Sequence, residues 1–296
     1  MERGVNLTRR NVVRGGAAFV TATAALRGHG SEAAPTTGRL KQSVSRWCFG
    51  KMSLDELAGH AARIGYRGID LLPPSDWQAV RKHGLVCALG AMGGPVTIEK
   101  GLNRVEYHGP ILEALDKGID LAAEAEVPNI VCLSGNRAGM SDEEGLENCV
   151  MALRQIAPHA EKKGVTLCLE LLNSKVDHKD YMADHTAWGL AVVKKVGSPR
   201  VKLLYDIYHM QIMEGDVIRT IRDSIGSIAH FHTAGVPGRH EIDGRQELNY
   251  PAICRAIVEA GFTGFLAQEF TPTGDPLRAL EEAFRICDVS PEAIAR

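Results

Sequence analysis

The feature that most constrains this chain is an alternation of short apolar runs and longer amphipathic segments that starts near residue 42. The runs have strand length, and the segments repeat their apolar residues with helical periodicity. The pattern predicts strands at 44–49, 67–72, 85–90, 129–134, 165–172, 201–206, 228–234 and 264–270. It predicts helices at 54–64, 76–82, 110–125, 142–163, 185–196, 216–224, 250–260 and 276–286. Such alternation is typical of α/β proteins with a parallel sheet.

Two parallel architectures fit this order, an open doubly wound sheet and a closed (β/α)8 TIM barrel. The number of strand–helix units and a span of about 250 residues favour the barrel. Ser53 and Ser141 each precede an acid at the third position, which predicts a capping box at the start of two helices. No linker or change of composition divides residues 38–296, so we expect a single domain there.

Residues 1–37 differ from the rest of the chain. Arg9 and Arg10 precede an apolar segment at 15–26, which is too short for a bilayer that needs about 20 residues. The arrangement resembles a twin-arginine export signal followed by a linker, although a disordered basic tail is the alternative. The resemblance predicts cleavage between 25 and 37, a periplasmic location and no stable membrane association afterwards. Without such a signal the protein would be cytoplasmic.

Charge and cysteine content narrow the class of partner. The net charge of -2 and the pI near 6.6 provide no field that attracts nucleic acid, so small molecules are the expected partners. The seven cysteines form no CxxC pair, which argues against a zinc knuckle or a disulfide framework. We expect most of them to be buried. The sequence leaves the oligomeric state open and is compatible with a homo-oligomer.

Polar residues interrupt the ends of the last four predicted strands. The fifth strand carries Glu170, the sixth leads into Asp206 and His209, the seventh carries His230 and His232, and the eighth carries Gln268 and Glu269. In a TIM barrel the carboxyl ends of the strands meet at one mouth, where catalytic groups lie. We therefore expect these side chains to converge there.

Converging carboxylates would repel one another unless a cation lay among them. Because side chains alternate along a strand and the mouth lies at its carboxyl end, His232 is a better ligand than His230. The predicted ligand set is Glu170, Asp206, His232 and Glu269. Three oxygen donors and one nitrogen suit Mn2+ best, with Mg2+, Co2+ and Zn2+ as alternatives. Such an ion, chelating a hydroxy-carbonyl compound, would acidify a C–H bond, and flanking carboxylates would move the proton through an enediolate.

Four motifs carry a family resemblance. They are Glu170–Asn173 (ELLN), Tyr205–Gln211 (YDIYHMQ), Ala234–Glu241 (AGVPGRHE) and Gln268–Phe270 (QEF). With them, residues 42 to 288 resemble the hydroxypyruvate isomerase and ketose 3-epimerase branch of the xylose isomerase-like TIM barrels. The resemblance implies the same four metal ligands, with His232 at a position that varies between His and Gln. It also implies that Glu170 and Glu269 are the catalytic acid and base pair.

The resemblance further implies that His209 and Arg239 hold substrate oxygens, and that Glu241 orients Arg239 or binds substrate. The first half of the chain departs from the characterised isomerases, so the exact substrate stays open. Six further residues are expected either to line the substrate pocket or to have only a packing role. They are Trp47, Trp77, His108, Lys175, Tyr181 and His185.

The preferred interpretation is a metal-dependent isomerase or epimerase of hydroxypyruvate or a keto-sugar. A lyase that acts on 3-keto-glycosides would need the same proton abstraction. A DNA-repair phosphodiesterase is disfavoured by the near-neutral charge. A sugar-binding protein without activity is disfavoured because both Glu170 and Glu269 are present.

Overall fold

The protein is described by a computed structural model over residues 40–289, which all belong to one compact unit. The export signal and linker predicted at 1–37 lie outside the described residues. Eight parallel strands close into a barrel in sequence order, which confirms the predicted (β/α)8 fold. The strands are β1 (Lys41–Ser45), β2 (Gly68–Leu72), β3 (Val86–Gly90), β4 (Asn129–Cys132), β5 (Thr166–Glu170), β6 (Val201–Asp206), β7 (Ile228–Thr233) and β8 (Phe265–Gln268).

Helices follow the strands around the outside of the barrel, as expected for this fold. They are α1 (Leu54–Ile64), α2 (Val105–Glu124), α3 (Asp142–Lys163), α4 (Thr186–Val196), α5 (Ile207–Met213), α6 (Val217–Ser224), α7 (Tyr250–Glu259) and α8 (Pro276–Cys287). One predicted helix was wrong, because 76–82 contains parts of the 3-10 turns Pro74–Asp76 and Arg81–His83 instead of an α-helix. The helix α5 was not predicted. The first strand is also earlier than predicted, and 46–49 is a 3-10 turn.

Local sequence signals account for the helix starts. At Ser53 the full capping box is present: its hydroxyl accepts from Glu56 N, and the Glu56 carboxylate accepts from Ser53 N. Ser141 accepts a hydrogen bond from Glu144 N at the start of α3. These bonds satisfy amide groups that the first helical turn leaves without partners.

The apolar strands pack against the helices in one continuous core. The cysteines are free, and all but the half-buried Cys48 are buried, as predicted. The helix α4 approaches the barrel closely, because Gly189 faces Leu171 and Leu203 with no room for a side chain. Among the helices within 40–289, none is both long enough and apolar enough to cross a membrane.

The barrel topology places the predicted functional residues at one mouth. Glu170 and Asp206 are the last residues of β5 and β6, and Glu269 directly follows β8. Asp206 is paired in register with His232 of β7, so these two side chains lie beside each other on neighbouring strands. Asp206 also begins α5, where its Oδ1 accepts a hydrogen bond from His209 N at 3.2 Å. This turn is why an acid and an imidazole three residues apart both lie at the mouth.

Candidate active site

Four buried side chains meet at the carboxyl ends of β5 to β8. One ligand atom from each of Glu170, Asp206, His232 and Glu269 lies within 4.8 Å of the others. His232 Nδ1 lies 3.0 Å from Glu269 Oε2 and 3.5 Å from Glu170 Oε1. The structure thus brings together the four residues predicted as a ligand set.

The pKa values of two carboxylates in this cluster, Asp206 and Glu269, are shifted in opposite directions. Burial, followed by the negative charge of Glu269, raises the pKa of Asp206 to about 7. Burial also opposes ionisation of Glu269, but the charges of His232 and Arg239 outweigh it and hold the pKa of Glu269 well below its usual range. The cluster is therefore a set of acids that needs positive charge nearby.

His232 shows that the cluster fits a cation. Burial opposes protonation of its ring, but Glu269 and Asp70 outweigh burial and raise the pKa of His232 well above its usual value. Its Nδ1 faces two carboxylates without the geometry of a hydrogen bond, although it is fully buried. A divalent ion among these atoms would accept the Nδ1 lone pair and offset the carboxylate charges. The donor set therefore fits a metal ion, which Glu170, Asp206, His232 and Glu269 would hold.

The sequence analysis missed Asp70, which supports the other side of His232. Asp70 lies fully buried on β2, with its Oδ2 3.4 Å from His232 Nε2 and 2.5 Å from His230 Nε2. Burial opposes its ionisation, but His230 and His232 outweigh burial and lower the pKa of Asp70 to about 2. The sequence does contain a signal for Asp70, which is an acid inside the apolar run predicted as a strand at 67–72. The predicted site rested on the last four strands alone.

Arg239 reaches the cluster from the connection between β7 and α7. One guanidinium nitrogen, NH2, lies 2.7 Å from Glu269 Oε2 and 3.9 Å from Asp206 Oδ2. The guanidinium carbon lies 5.0 Å from the centre of the Trp47 ring and 5.5 Å from that of Tyr208. These stacking contacts hold the cation of Arg239 over the carboxylates.

His209 is buried beside the same carboxylates. Asn173 Nδ2 donates to His209 Nδ1 at 2.6 Å, which assigns the ring proton to Nε2. Nε2 lies 3.6 Å from Asp206 Oδ2 and makes no hydrogen bond to the described residues. Burial and then the charge of Arg239 lower the pKa of His209 well below its usual value. The ring is therefore a neutral donor directed toward the site.

Glu241 lies apart from the cluster. Its carboxylate accepts hydrogen bonds from the backbone N and the hydroxyl of Thr273 at 2.7 and 2.9 Å, and Arg245 lies 3.7 Å away. It is not among the described residues that line the cavity beside the cluster. Its predicted contact with substrate or Arg239 stays a prediction, and the structure places it in a loop contact.

A cavity of about 460 Å3 opens beside Glu170, Arg239 and Glu269. Trp47 lines it and donates from Nε1 to Glu269 Oε1 at 2.8 Å, and His178, which the sequence analysis missed, lines it as well. A second cavity of about 550 Å3 lies at the amino-terminal ends of the strands, near Lys41, and contains none of the four clustered residues. We therefore treat the smaller cavity as the candidate substrate site.

The remaining candidate residues serve other contacts. Trp77 is buried against Gly90 and donates to Leu72 O, and His108 bonds to Leu102 O. Lys175 donates to the carbonyls of Ile212 and Met213 near the end of α5. The Tyr181 hydroxyl donates to Glu170 O, and His185 pairs with Asp184. Of Trp47 and Trp77, Trp47 lines the cavity and Trp77 does not.

The comparisons with known proteins concern the family of the chain. Residues 58–288 match the family described as the xylose isomerase-like TIM barrel. The chain belongs to the xylose isomerase-like TIM barrel family. Within it, the predicted hydroxypyruvate isomerase and ketose 3-epimerase branch is supported by curated relatives. A 2-oxo-tetronate isomerase of Cupriavidus necator is 31% identical over 234 residues, 74% of this chain and 87% of the relative. A putative hydroxypyruvate isomerase of Homo sapiens is 27% identical over 245 residues, 76% of this chain and 88% of the relative.

Solved structures of this xylose isomerase-like fold match the chain closely. An AP endonuclease, family 2, from Brucella melitensis has a TM-score of 0.73 and 26% identity, covering 81% of this chain and 97% of its own. The IOLI protein, whose structure is described with a bound zinc atom, has a TM-score of 0.65 and 17% identity, covering 84% and 95%. This second likeness concerns the fold alone.

Proposed function

We propose that the protein is a divalent-metal-dependent isomerase or epimerase of a small hydroxy-carbonyl compound, either hydroxypyruvate or a keto-sugar. The observation that carries the proposal is the cluster of Glu170, Asp206, His232 and Glu269 beside a cavity. The isomerase names of the curated relatives support the same reaction class. Mn2+ suits the donor set best, while the zinc bound by a protein of the same fold keeps zinc among the alternatives.

Glu170 and Glu269 are the proposed acid and base pair. Both line the cavity, and they are presented by β5 and by the residue after β8, three strands apart around the closed barrel. One carboxylate removes a proton from the substrate carbon, and the other returns a proton to the same carbon or to its neighbour. A bound divalent ion supplies Lewis-acid polarisation of the substrate oxygens. His209 and Arg239 hold and orient those oxygens through their N–H groups.

Replacement of Glu269 tests the proposal directly. Because Glu269→Gln removes a proton-transfer group and keeps its shape, we expect turnover to fall by about 10^2- to 10^4-fold with little loss of fold. The measurement is hydrogen exchange at the reacting carbon in deuterated water, with circular dichroism as the check on folding. The control Glu259→Gln changes an acid of α7 that pairs with Arg222 and should keep wild-type activity. Near-normal turnover of Glu269→Gln would remove it from the pair.

A lyase that acts on 3-keto-glycosides is the second candidate. The observation that favours it is the volume of the cavity, about 460 Å3, which has room for a leaving group beyond the reacting carbon. Incubation with a 3-keto-glycoside distinguishes the two reactions, because the lyase releases the aglycone and the isomerase or epimerase does not. DNA phosphodiester cleavage is less well supported, since the lining of this cavity includes two acids and only one Lys or Arg, which is Arg239.

Residues 1–37 are proposed to be a twin-arginine export signal and linker preceding a single barrel domain at 38–296. The support is the Arg9–Arg10 pair with the apolar segment at 15–26. Cell fractionation of the full chain tests this: we expect periplasmic protein from the wild type and cytoplasmic retention when both arginines are replaced by lysine. Wild-type protein found only in the cytoplasm would contradict it.

Light scattering of the purified protein would show whether it forms the homo-oligomer that the sequence allows.

A further inference from the structure

One side of the candidate substrate cavity is an apolar wall. Its side chains come from β2, from the connection between β3 and α2, and from β4 with the residue that follows it. They are Leu71, Met92, Val96, Ile98, Val131 and Leu133. The acids Glu170 and Glu269 come from the β5 and β8 side of the barrel. The cavity therefore offers a polar reacting end and an apolar end to a single ligand.

The size of the cavity exceeds what a three-carbon substrate needs. Its volume of about 460 Å3 falls in the range of pockets that bury drug-sized ligands, roughly 300–1,000 Å3. A molecule as small as hydroxypyruvate, held at the carboxylates, would leave the apolar wall against water. Burial of an apolar group there would instead contribute to binding.

The charged residues that line the cavity also limit the charge that a bound ligand can carry. Arg239 is the sole Lys or Arg among the residues that line the cavity, and it is already paired with Glu269 at 2.7 Å. The same end of the cavity carries the carboxylates of Glu170 and Glu269, with that of Asp206 in the same cluster. A substrate carboxylate bound at this end would therefore lie beside carboxylates of the protein, where the one guanidinium is already paired.

His178 is the other lining residue whose side chain can carry a positive charge. Its ring lies beside His209, with ring centres 5.3 Å apart, and burial followed by the charge of Arg239 lowers its pKa below the usual value. Both effects therefore favour the neutral form of the His178 imidazole. An acidic substrate would enter a site whose one guanidinium is already paired with Glu269, which is unfavourable.

We propose that the substrate is an uncharged keto-sugar that carries an apolar substituent, with its carbonyl end at Glu170 and Glu269 and its substituent on the wall that includes Met92, Ile98 and Leu133. This proposal rests on the isomerase or epimerase function given above and specifies its substrate class. It predicts that a carboxylate-bearing substrate such as hydroxypyruvate binds poorly. The same class of ligand would suit the lyase reaction.

The test compares three ligands that share a hydroxy-carbonyl group. Binding of a phenyl 3-keto-glucoside, the corresponding methyl 3-keto-glucoside and hydroxypyruvate to the Mn2+-loaded protein is measured by calorimetry. We expect the phenyl compound to bind at least about tenfold more tightly than the methyl compound, because even one added methylene in an apolar pocket is worth roughly 10–200-fold. Hydroxypyruvate should bind more weakly than either. Equal affinity of the phenyl and methyl compounds, or tightest binding of hydroxypyruvate, would overturn the proposal.

A charged residue substituted into the apolar wall tests independently whether the wall contacts the substituent. Ile98 is half-buried, so Ile98→Lys adds a cation at the apolar end without filling the core, and Ile98→Met is the neutral control. We expect Ile98→Lys to weaken binding of the phenyl compound and strengthen binding of hydroxypyruvate, while Ile98→Met keeps the wild-type order. If Ile98→Lys leaves both affinities unchanged, the wall does not contact the substituent and the proposal is wrong. If the wild type binds in the expected order but exchanges no substrate hydrogen with deuterated water, the reaction class is wrong and the ligand class stands.

Discussion

His232 is the residue on which the account of the site depends most. Its two ring nitrogens face different groups, with Nδ1 toward Glu170 and Glu269 and Nε2 toward Asp70. A histidine that binds metal through one nitrogen is commonly oriented by a carboxylate at the other nitrogen. Asp70 is placed to have this orienting role, although it belongs to a strand that contributes none of the four clustered residues.

Replacement of Asp70 by Asn tests that role. The amide keeps the shape of the side chain but removes the charge beside His232 Nε2, so we expect Mn2+ affinity to fall by about 10- to 100-fold. Calorimetric titration of Mn2+ into the chelator-treated protein measures the change. Asp55→Asn is the control, because Asp55 pairs with Lys82 and His83 on the surface. Unchanged affinity in Asp70→Asn would show that Asp70 only packs the barrel interior.

Residue types alone explain why part of the site was predictable. Glu170 and Asp206 stand out because acids rarely end apolar strands without a partner. Alternation on β7 favoured His232 over His230, and the structure places His232 in the four-residue cluster. The contact between Trp47 and Glu269 was not predictable, because Trp47 was assigned to a strand. In the structure the 3-10 turn Arg46–Phe49 follows β1 and places the Trp47 indole at the mouth.

At the scale of secondary structure, the main packing constraint is the close approach of α4 to the barrel. A Cβ on Gly189 would lie 2.8 Å from Leu171 Cδ2 and 2.9 Å from Leu203 Cδ2, both of which are fully buried. Real side chains do not approach so closely, so an added methyl group must displace the helix or the leucines. Glycine is therefore required by packing, despite its low helix propensity.

The helical glycines Gly189 and Gly59 differ in the space around them, so replacement by alanine should have opposite effects on stability. Gly189→Ala should lower the free energy of unfolding by about 1–3 kcal/mol through overpacking. Gly59→Ala in α1 is the matched control, since its Cβ would meet only His83 and Arg63 side chains at 3.5 Å or more. The control should gain about 0.5–1 kcal/mol from helix propensity. Urea denaturation of both variants measures the difference, and equal stabilisation of the two would contradict the packing account.

The elements that the sequence failed to predict share a physical cause. The segment at 76–82 has helical residues, but it is too short to form a stable helix by itself, and Trp77 is buried against Gly90 instead of continuing a helical face. The helix α5 was overlooked because its apolar residues continue the pattern of β6. Its start depends on the cap that Asp206 forms with His209 N, which is a feature of the site itself.

At the scale of the whole molecule, the barrel closure was predictable and its loop contacts were not. Regular strand–helix alternation fixes the order of neighbours in a parallel barrel. By contrast, the connection after β4 contacts the connection after β5 through Arg137, whose guanidinium lies 3.0 Å from Asp184 Oδ1. Ser174 also donates to Asp184. Sequence pattern does not encode such contacts between loops.

This loop contact predicts a pH dependence of stability. Burial opposes ionisation of Asp184, but Arg137, Ser174 and His185 outweigh it and lower the pKa of Asp184 below its usual value. A carboxyl group whose pKa is lowered by folding contributes stability above its unfolded pKa and loses it as the pH falls through the folded pKa. We therefore expect Asp184→Asn to cost about 1–3 kcal/mol at pH 7 and less at acid pH. Urea denaturation between pH 7 and pH 3 measures this, and a cost that does not decrease with falling pH would contradict it.

The central claim is that the acids at the barrel mouth are assembled to hold one divalent cation that the reaction requires. The most direct measurement is calorimetric titration of Mn2+ into protein freed of metal by a chelator, with activity assayed at each point. We predict binding of one ion per chain, recovery of activity in proportion to its binding, and loss of both in Asp206→Ala, whose carboxylate lies in the cluster. Full activity of the metal-free protein, or the same binding by Asp206→Ala, would contradict the account.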